Sequence, residues 1–407
     1  MKKLISAVLT LTLMMALLVG CGNPQTSGGK EDADAAATAA GAEAQTETAD
    51  NGDTSKIGMD EYSIGTLNVA IVSSPSGVDD GSFNQNIYEG ILQFIEMSPE
   101  SKVTPIREET GDVAKCIETV QDIVADYDVV VCCGFQFAGI GDIAASNPDV
   151  KFILVDTDPS DAEGNAVELE NVYAMTFKEQ EGGFCAGLAA ALETKTNKVA
   201  VVNGIAYPSN VNYQYGFMSG VNYANKNFGT NAEIVELASY AGEDVTGANV
   251  GGNYIGSFSD EETGKTVGTA LINEGCDIIF VAAGASGNGV FTAAKEAQDV
   301  KVIGCDTDQY DDGANGDSNI ILTSALKVMD MNVCGQLVNI ATGNFEGKNA
   351  LLGADTFSTG YVYTDGRCQL SPETIEKIDA AFEKVSSGEI VPAANFNEMT
   401  PDNFTGL

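Results

Sequence analysis

Residues 78–90 carry a dense set of side chains that can bind a small polar molecule, directly after the first predicted strand. The segment contains two carboxylates, two carboxamides and an aromatic ring, at Asp79, Asp80, Asn84, Gln85 and Tyr88. Carboxylates accept hydrogen bonds from ligand hydroxyl groups, and carboxamides donate as well as accept. In an open parallel sheet, ligands bind outside the carboxyl ends of the strands. The segment therefore predicts a site for a small polar ligand.

The same segment also fits the start of a helix that binds nothing. Ser82 and the glutamine three positions later have the spacing of a capping box. Ser82 is therefore predicted to be structural, and Phe83 to be a core or staple residue. Asp79 and Asp80 can satisfy backbone amides of the turn. Tyr88 lies beside the buried stripe of the helix, so its ring can belong to the core or face a cleft.

Short apolar runs alternate with helical patterns beyond residue 65, which is typical of parallel sheets that are buried on both faces. Strands are predicted at residues 67–73, 129–134, 152–156, 199–203, 277–283, 300–306 and 320–323. Helices are predicted at residues 84–97, 113–127, 182–193, 263–274, 288–298 and 328–341. The fold class is therefore α/β, with doubly wound sheets. About 340 residues follow position 65, which is enough for two domains with a cleft between them.

Polar residues or glycine follow several predicted strands directly. They are Asp156, Asn203, Gly284, Asp306 and the pair Thr323 and Ser324. The carboxyl ends of parallel strands face one edge of a sheet, so these residues would line one cleft if two lobes face each other. Each of them can also begin a turn or cap a helix. Their recurrence favours a site.

The first residues predict export and lipidation. Lys2 and Lys3 precede an apolar run at 4–19 that ends in Gly20 and Cys21, which is the pattern of a lipoprotein signal peptide. The run is shorter than the ~20 residues that a membrane span needs. We therefore predict a signal peptide at 1–21, a lipidated Cys21, and an extracytoplasmic protein held at the cell membrane. Residues 22–65 have almost no large apolar side chains and are predicted to be a flexible stalk.

Charge and composition exclude several functions. The formal net charge is −39 with only 20 basic residues, which argues against nucleic acid and against electrostatic binding to anionic lipid. The chain has no histidine and no CxxC spacing, which argues against a zinc site and excludes a histidine-activated nucleophile. Most of the nine cysteines lie in apolar strands or helices and are predicted to be buried. No cofactor or metal is predicted.

Several motifs in this order resemble the basic membrane protein family, the PnrA-like purine nucleoside receptors of bacterial ABC transporters. The motifs are DDGSFNQ (79–85) with YEG (88–90), FKEQEG (177–182), GSFSD (256–260), AAGASGNGV (282–290), VIGCDTDQ (302–309) and TSALK (323–327). The resemblance covers nearly all of the chain beyond the stalk. It implies a two-lobed periplasmic-binding-protein-like fold of type I, with residues 66–177 and part of 306–350 in the N-terminal lobe. Residues 178–305 and part of 351–407 would form the C-terminal lobe.

The resemblance also implies a ligand set. The base would stack between Tyr88 and Phe258, while Asp79, Asp80, Asn84 and Gln85 would read the base or the ribose. Gly284 would allow close approach of the sugar, and Asp306 and Lys327 would bind the ribose hydroxyl groups. A carboxylate acceptor beside an ammonium donor suits vicinal hydroxyls, and we expect Asp306 and Lys327 to depend on each other. Asp156 ends a strand on the same edge.

The chain also departs from the family pattern. Gly81 stands where many relatives have a basic residue, and Tyr88 stands where tryptophan is frequent. The stretch 236–254 is rich in glycine and asparagine and is longer than its equivalent in the family. These differences put the identity of the ligand in doubt more than its class.

The resemblance implies a monomeric receptor that passes nucleosides to the permease subunits of an ABC transporter and is not an enzyme. One alternative is a sugar receptor of the same architecture, because aromatic faces and carboxylates also recognise pyranoses. Another is a glycosidase or nucleosidase that uses Asp79 and Asp80 as an acid and base pair. Adjacent residues in one turn seldom reach one bond from both sides, which disfavours the enzyme.

Overall fold

A computed structural model describes residues 64–407. The predicted signal peptide with Cys21 and the predicted stalk up to residue 63 lie outside the described residues. The last two residues of the predicted stalk belong to the folded domain instead. Ile64 packs against a buried apolar cluster, and the Gly65 amide donates to the Ala341 carbonyl oxygen at 3.0 Å.

The described residues form two six-stranded sheets, and the first is parallel throughout. Its strands are β1 (Asn68–Ser73), β2 (Lys102–Arg107), β3 (Val129–Cys133), β4 (Lys151–Val155), β5 (Val172–Phe177) and β15 (Lys348–Leu352). Their order across the sheet is β2-β1-β3-β4-β5-β15. The order reverses between β1 and β3, which is where doubly wound sheets bind ligands.

The second sheet repeats this topology. Its strands are β6 (Lys198–Asn203), β7 (Glu233–Ile234), β10 (Ile278–Ala282), β11 (Lys301–Asp306), β14 (Ile321–Lys327) and β16 (Thr359–Tyr361). The order is β7-β6-β10-β11-β14-β16, and β16 alone runs antiparallel to its neighbour. Two short hairpins lie outside the sheets, β8 (Gly242–Glu243) with β9 (Asn249–Gly251) and β12 (Ala314–Asn315) with β13 (Ser318–Asn319).

Helices cover both faces of each sheet. They are α1 (Phe83–Met97), α2 (Val113–Ile123), α3 (Gly141–Ser146), α4 (Glu179–Glu193), α5 (Pro208–Phe228), α6 (Glu261–Asn273), α7 (Gly287–Glu296), α8 (Met329–Ala341) and α9 (Pro372–Ser386). Neighbouring strand residues enter different cores: Ile71 packs in the cluster that contains α1 and α8, and Val72 packs in the cluster that contains α2. Burial on both faces is the reason why the inner strands of each sheet are mostly apolar.

The chain passes between the two sheets three times, after β5, between β14 and β15, and between β15 and β16. The predicted α/β class with two sheet-bearing lobes is thereby confirmed. Within the segment 306–350, β14 belongs to the second sheet, whereas α8 packs on the first lobe and β15 joins the first sheet at Lys348.

Helices α4 and α5 lie unusually close together because glycines face each other along their contact. A Cβ atom on Gly187 would lie 2.1 Å from the Phe217 carbonyl oxygen, and one on Gly220 would lie 2.2 Å from the Phe184 carbonyl oxygen. Real Cβ atoms do not approach backbone this closely, so both positions require glycine. This contact fixes α4, whose first residue is Glu179.

We expect Gly187→Ala to lower the free energy of unfolding by about 3 kcal/mol, because the added methyl group forces the two helix backbones apart. Gly335→Ala is the matched control, since Gly335 lies in α8 and a methyl group there would meet nothing within 4 Å. The control is expected to stabilise the protein by roughly 0.5–1 kcal/mol. Urea denaturation measures both values, and equal stabilities would contradict the close contact between the helices.

Candidate functional site

A cavity lies between the two lobes at the carboxyl ends of the strands. Its walls come from the segments that follow β1, β3 and β4 in the first lobe and β6, β10, β11 and β14 in the second. The space between the lining atoms is about 570 Å³, which includes the solvent at the open mouth. The cavity therefore lies at the switch points of both sheets.

Most of the sequence-predicted ligand residues line this cavity. They are Asp80, Asn84, Asp156, Phe258, Gly284, Asp306 and Lys327. Asp79, Gln85 and Tyr88 are not part of the lining. Asp79 is exposed in the turn, and Tyr88, one helical turn further from the cleft, packs against the core of the first lobe. Gln85 turns back along its own helix: it accepts from the Gly81 amide at 3.1 Å and donates to Glu89 at 3.0 Å.

Asp80 caps the first helix, in the role that the sequence assigned to Ser82. Asp80 Oδ1 accepts from the amides of Ser82 at 3.1 Å and Gln85 at 3.0 Å. Its Oδ2 accepts from the backbone and side-chain amides of Asn84 at 3.1 and 2.9 Å. Burial raises the pKa of the Asp80 carboxyl, and the backbone donors oppose that shift. These bonds occupy the carboxylate, so Asp80 orders the cavity wall and offers a ligand little.

Ser82 joins the two lobes instead of capping. Its side chain makes no cap bond, and its hydroxyl donates to Asp306 Oδ2 at 2.8 Å. The Tyr213 hydroxyl donates to Asp306 Oδ1 at 3.1 Å. Ser82 was predicted to be structural within its own helix, and the correction is that its partner belongs to the other lobe.

Two further hydrogen bonds cross between the lobes near the cavity. Ser76 Oγ donates to the Phe258 carbonyl oxygen at 3.0 Å. Gln309 Nε2 donates to the Gly81 carbonyl oxygen at 3.0 Å. The lobes are therefore in direct contact beside the cavity.

Lys327 ends β14 and is paired with two carboxylates at the inner end of the cavity. Its ammonium is 1% exposed, pairs with Asp156 Oδ1 and lies 3.0 Å from Glu179 Oε1. The sequence predicted a direct pair between Asp306 and Lys327, and the structure gives Lys327 these other partners. Glu179 was not predicted to be a site residue, although it lies in the FKEQEG motif (177–182) on which the resemblance partly rests, and that motif was the signal that could have found it.

The charges of this cluster do not cancel. Burial alone would lower the pKa of Lys327, but Asp156 and Glu179 outweigh it and raise the pKa above its ordinary value. Burial raises the pKa of Asp156 to about 6, against the opposing effect of Lys327. With Asp306 nearby, one ammonium faces three carboxylates, so the polar end of the cavity is electronegative.

Asp156 and Asp306 occupy equivalent positions in the two lobes. Asp156 follows β4 and Asp306 ends β11, and each strand is fourth from the same edge of its sheet. Both residues adopt the left-handed backbone conformation, with φ of 69° in each case. Aspartate enters this region more readily than most residues, and such conformations concentrate at functional sites.

Five aromatic rings also line the cavity, and two of them, Phe83 and Tyr213, contact the charged cluster. The five rings belong to Phe83, Phe135, Tyr207, Tyr213 and Phe258. The ring centroids of Phe135 and Tyr207, from opposite lobes, are 5.2 Å apart, and those of Tyr207 and Phe258 are 5.9 Å apart. Phe83 was predicted to be a core or staple residue. It begins α1 at the cleft edge and packs against the core of the first lobe, and its ring centroid lies 5.2 Å from the Lys327 ammonium.

Within residues 64–407, no group of three or more cysteine, aspartate or glutamate side chains is arranged to hold a metal ion. In the same part of the chain, no helix combines the length and the hydropathy that crossing a membrane requires.

Sequence comparison finds relatives along most of the chain. The family model described as Bmp, ABC transporter substrate-binding protein PnrA-like, matches residues 67–241 and 238–394. The CD4+ T-cell-stimulating antigen of Listeria innocua is 29% identical over 349 residues, which cover 81% of this chain and 89% of that protein. The ABC transporter nucleoside-binding protein BmpA of Lactococcus lactis is 29% identical over 282 residues, covering 64% of this chain and 71% of that protein.

Comparison with solved structures supports the fold. A solute-binding protein of an ABC transporter system from Aeropyrum pernix aligns with a TM-score of 0.67 at 22% identity, over 81% of this chain and 94% of that chain. At this identity the likeness concerns the fold alone. It agrees with the two-lobed α/β architecture that the sequence predicted.

We expect Lys327→Met to lower the free energy of unfolding by about 3–5 kcal/mol, because it leaves buried carboxylates without their cation. Lys178→Met is the matched control: Lys178 also pairs with a carboxylate, Asp355 at 3.0 Å, but both side chains are partly exposed. Lys178→Met is expected to lower the free energy of unfolding by less than about 1 kcal/mol. Urea denaturation at pH 7 measures both, and a mild effect of Lys327→Met would contradict the role of the buried pair.

Proposed function

The chain belongs to the PnrA-like family of ABC transporter substrate-binding proteins, and from that premise we propose that it binds purine nucleosides in the interlobe cavity and delivers them for import. The observation that carries the proposal is the division of the cavity into an aromatic part and a charged part. A nucleoside has the same division, with a planar base at one end and a hydroxylated ribose at the other. The Lactococcus lactis relative, named as a nucleoside-binding protein, supports the ligand class.

The base would stack between Phe83 and Phe258. Both rings line the cavity, one from each lobe, whereas Tyr88 is outside the lining, so Phe83 takes the role that the sequence gave to Tyr88. Base stacking on aromatic side chains is worth about 1–3 kcal/mol per base. Asn84 would read the base edge: its amide nitrogen donates to Ser74 and Asp80, while its buried Oδ1 has no partner among residues 64–407. That oxygen is an acceptor for an N–H group.

The ribose would lie at the charged end. Asp156 and Asp306 are acceptors for hydroxyl groups, and Lys327 supplies a donor between them. Gly284 has no side chain and a φ of +52°, so its backbone can approach the sugar closely. Gly284, Asp306 and Lys327 keep the roles that the sequence gave them, and Asp156 joins them through its contact with Lys327.

The electronegative end favours a neutral ligand. Among the residues that the structure describes, Lys327 provides the one ammonium group in the cavity lining. Its charge is already matched by the carboxylates of Asp156 and Glu179. A phosphate ester there would face carboxylates without a spare cation, which costs binding free energy through like-charge repulsion. We therefore propose that nucleosides are bound and nucleotides are rejected.

The alternatives receive less support. The glycosidase or nucleosidase hypothesis requires Asp79 and Asp80 to face one bond, but Asp79 is exposed outside the cavity and Asp80 is committed to capping. A sugar receptor would use the same carboxylates, yet the number of rings around the cavity suits a fused aromatic base better than one pyranose.

Substrate-binding proteins of ABC transporters act outside the cytoplasmic membrane. We propose that this one acts as a monomer, held to the membrane through lipid on Cys21 and a stalk, and that it hands its ligand to the permease subunits. The sequence pattern at 1–21 supports the anchor.

We expect inosine, adenosine and guanosine to stabilise the unlipidated protein, because a ligand of the folded state adds RT ln(1 + [L]/Kd), about 2.7 kcal/mol at ~100 times Kd. The corresponding nucleoside monophosphates and free hexoses are expected to give no shift. A thermal-shift titration at constant ionic strength measures this. A melting temperature that no nucleoside raises would remove the central proposal, and a response to hexoses alone would favour the sugar receptor.

Matched variants on one helix identify the stacking ring. Phe83→Leu should weaken inosine binding roughly ten- to a hundredfold, as expected for loss of base stacking. Tyr88→Leu should lower stability and leave the inosine affinity of the folded protein unchanged. Isothermal titration calorimetry gives both affinities, and the opposite ranking would return Tyr88 to the site.

We expect Cys21→Ala to release the protein from the membrane fraction, because the thiol that receives the lipid is removed. Metabolic labelling with palmitate measures acylation, and fractionation measures attachment. Cys368→Ala is the control, since Cys368 is partly buried within the folded domain. Labelling that persists in Cys21→Ala would exclude Cys21 as the acylated residue.

A further inference from the structure

The Phe258 ring rests against the backbone of Gly204. A Cβ atom on Gly204 would lie 2.2, 2.3 and 3.0 Å from ring atoms Cε1, Cδ1 and Cζ of Phe258. These are the nearest atoms to that position, and all belong to one side chain. The ring therefore occupies the space that a side chain at position 204 would need.

The backbone at Gly204 does not itself demand glycine. Gly204 lies just after β6 and is absent from the residues with positive φ in the described part of the chain. Its amide donates to the Ala282 carbonyl oxygen at 3.1 Å, and its carbonyl oxygen accepts from the Gly256 amide at 2.8 Å. An alanine could adopt this backbone, so the Phe258 ring is the group that would have to move to admit it.

The segment that carries Phe258 is fixed on its other sides. Ser286, which is 0% exposed, donates its hydroxyl to the Ser257 carbonyl oxygen at 2.9 Å and accepts from the Asp260 amide at 2.7 Å. The Phe258 carbonyl oxygen accepts from the Ser286 amide at 3.0 Å. With the backbone held, the side chain has freedom only about its own torsions, and Gly204 limits that freedom.

We propose that Gly204 is a positioning residue for ligand binding: it creates the slot that holds the Phe258 ring in the orientation that a planar base requires. This inference rests on the proposed function and adds to it the group that sets the stacking plane. A ring that is already oriented loses little conformational freedom when the base arrives, and such preorganisation raises affinity. The slot should favour flat heteroaromatic ligands over puckered sugars.

Gly204→Ala is expected to weaken inosine binding roughly ten- to a hundredfold, similar to Phe258→Ala, because a displaced ring cannot stack on the base. Isothermal titration calorimetry measures the affinities. The fluorescence of 2-aminopurine riboside reports stacking directly: quenching on binding to the wild-type protein should be reduced in Gly204→Ala. Gly335→Ala, whose methyl group would meet nothing within 4 Å, is the control and should bind as the wild type does.

A double-mutant cycle separates positioning from general damage to the fold. If Gly204 acts through Phe258, then adding Gly204→Ala to Phe258→Ala should cause no further loss of affinity. Additive losses would overturn the inference, and so would wild-type affinity and quenching in Gly204→Ala alone. Absence of nucleoside binding in the wild-type protein is a different result, since it would overturn the proposed function and the inference with it.

Discussion

The buried ammonium of Lys327 is the interaction on which the two lobes and the cavity depend. It ends a strand of the second sheet, while its partner Asp156 follows a strand of the first, and its partner Glu179 begins the helix directly after the first crossing between lobes. Removing charges from water is costly, so such a cluster persists only when its members remain together. The same ion pairs that join the crossing segments therefore also build the polar end of the cavity.

The sequence predicted seven of the twelve strands in the two sheets, with β5, β7, β15 and β16 among those missed, and it did not predict the longest helix. Apolar runs located β1, β3, β4, β6, β10 and β11 because burial on both faces leaves a continuous apolar stretch. Helix α5 escaped detection because it buries polar side chains, among them Asn210, Asn212 and Gln214, and so lacks an apolar stripe. The edge strand β2 was missed as well, since it is mostly exposed and contains Pro105.

Strand ends predicted part of the cavity lining: it includes Asp156, Gly284 and Asp306 and lacks Asn203, Thr323 and Ser324, which were expected on the same ground. Asp156, Gly284 and Asp306 follow from strand ends alone, because sheet geometry determines where those ends lie. In the segment after β1, the outcome depended on whether Asp80 or Ser82 accepts the helix amides, and both residue types suit that role. Once Asp80 caps, Ser82 is available to Asp306. The spacing of residues along the chain does not show whether the Ser82 hydroxyl bonds to its own helix or to a residue of the other lobe.

The hydrogen bonds that Ser76, Ser82 and Gln309 make between the lobes affect how fast a bound molecule can leave the cavity. A molecule enclosed behind them leaves only after they break, so its residence time follows the rate of lobe opening. Contacts of this kind act mainly on the dissociation rate, whereas the association rate depends on how often an open form is present. In a protein of this substrate-binding family, these few polar contacts therefore contribute to the barrier that ligand release has to cross.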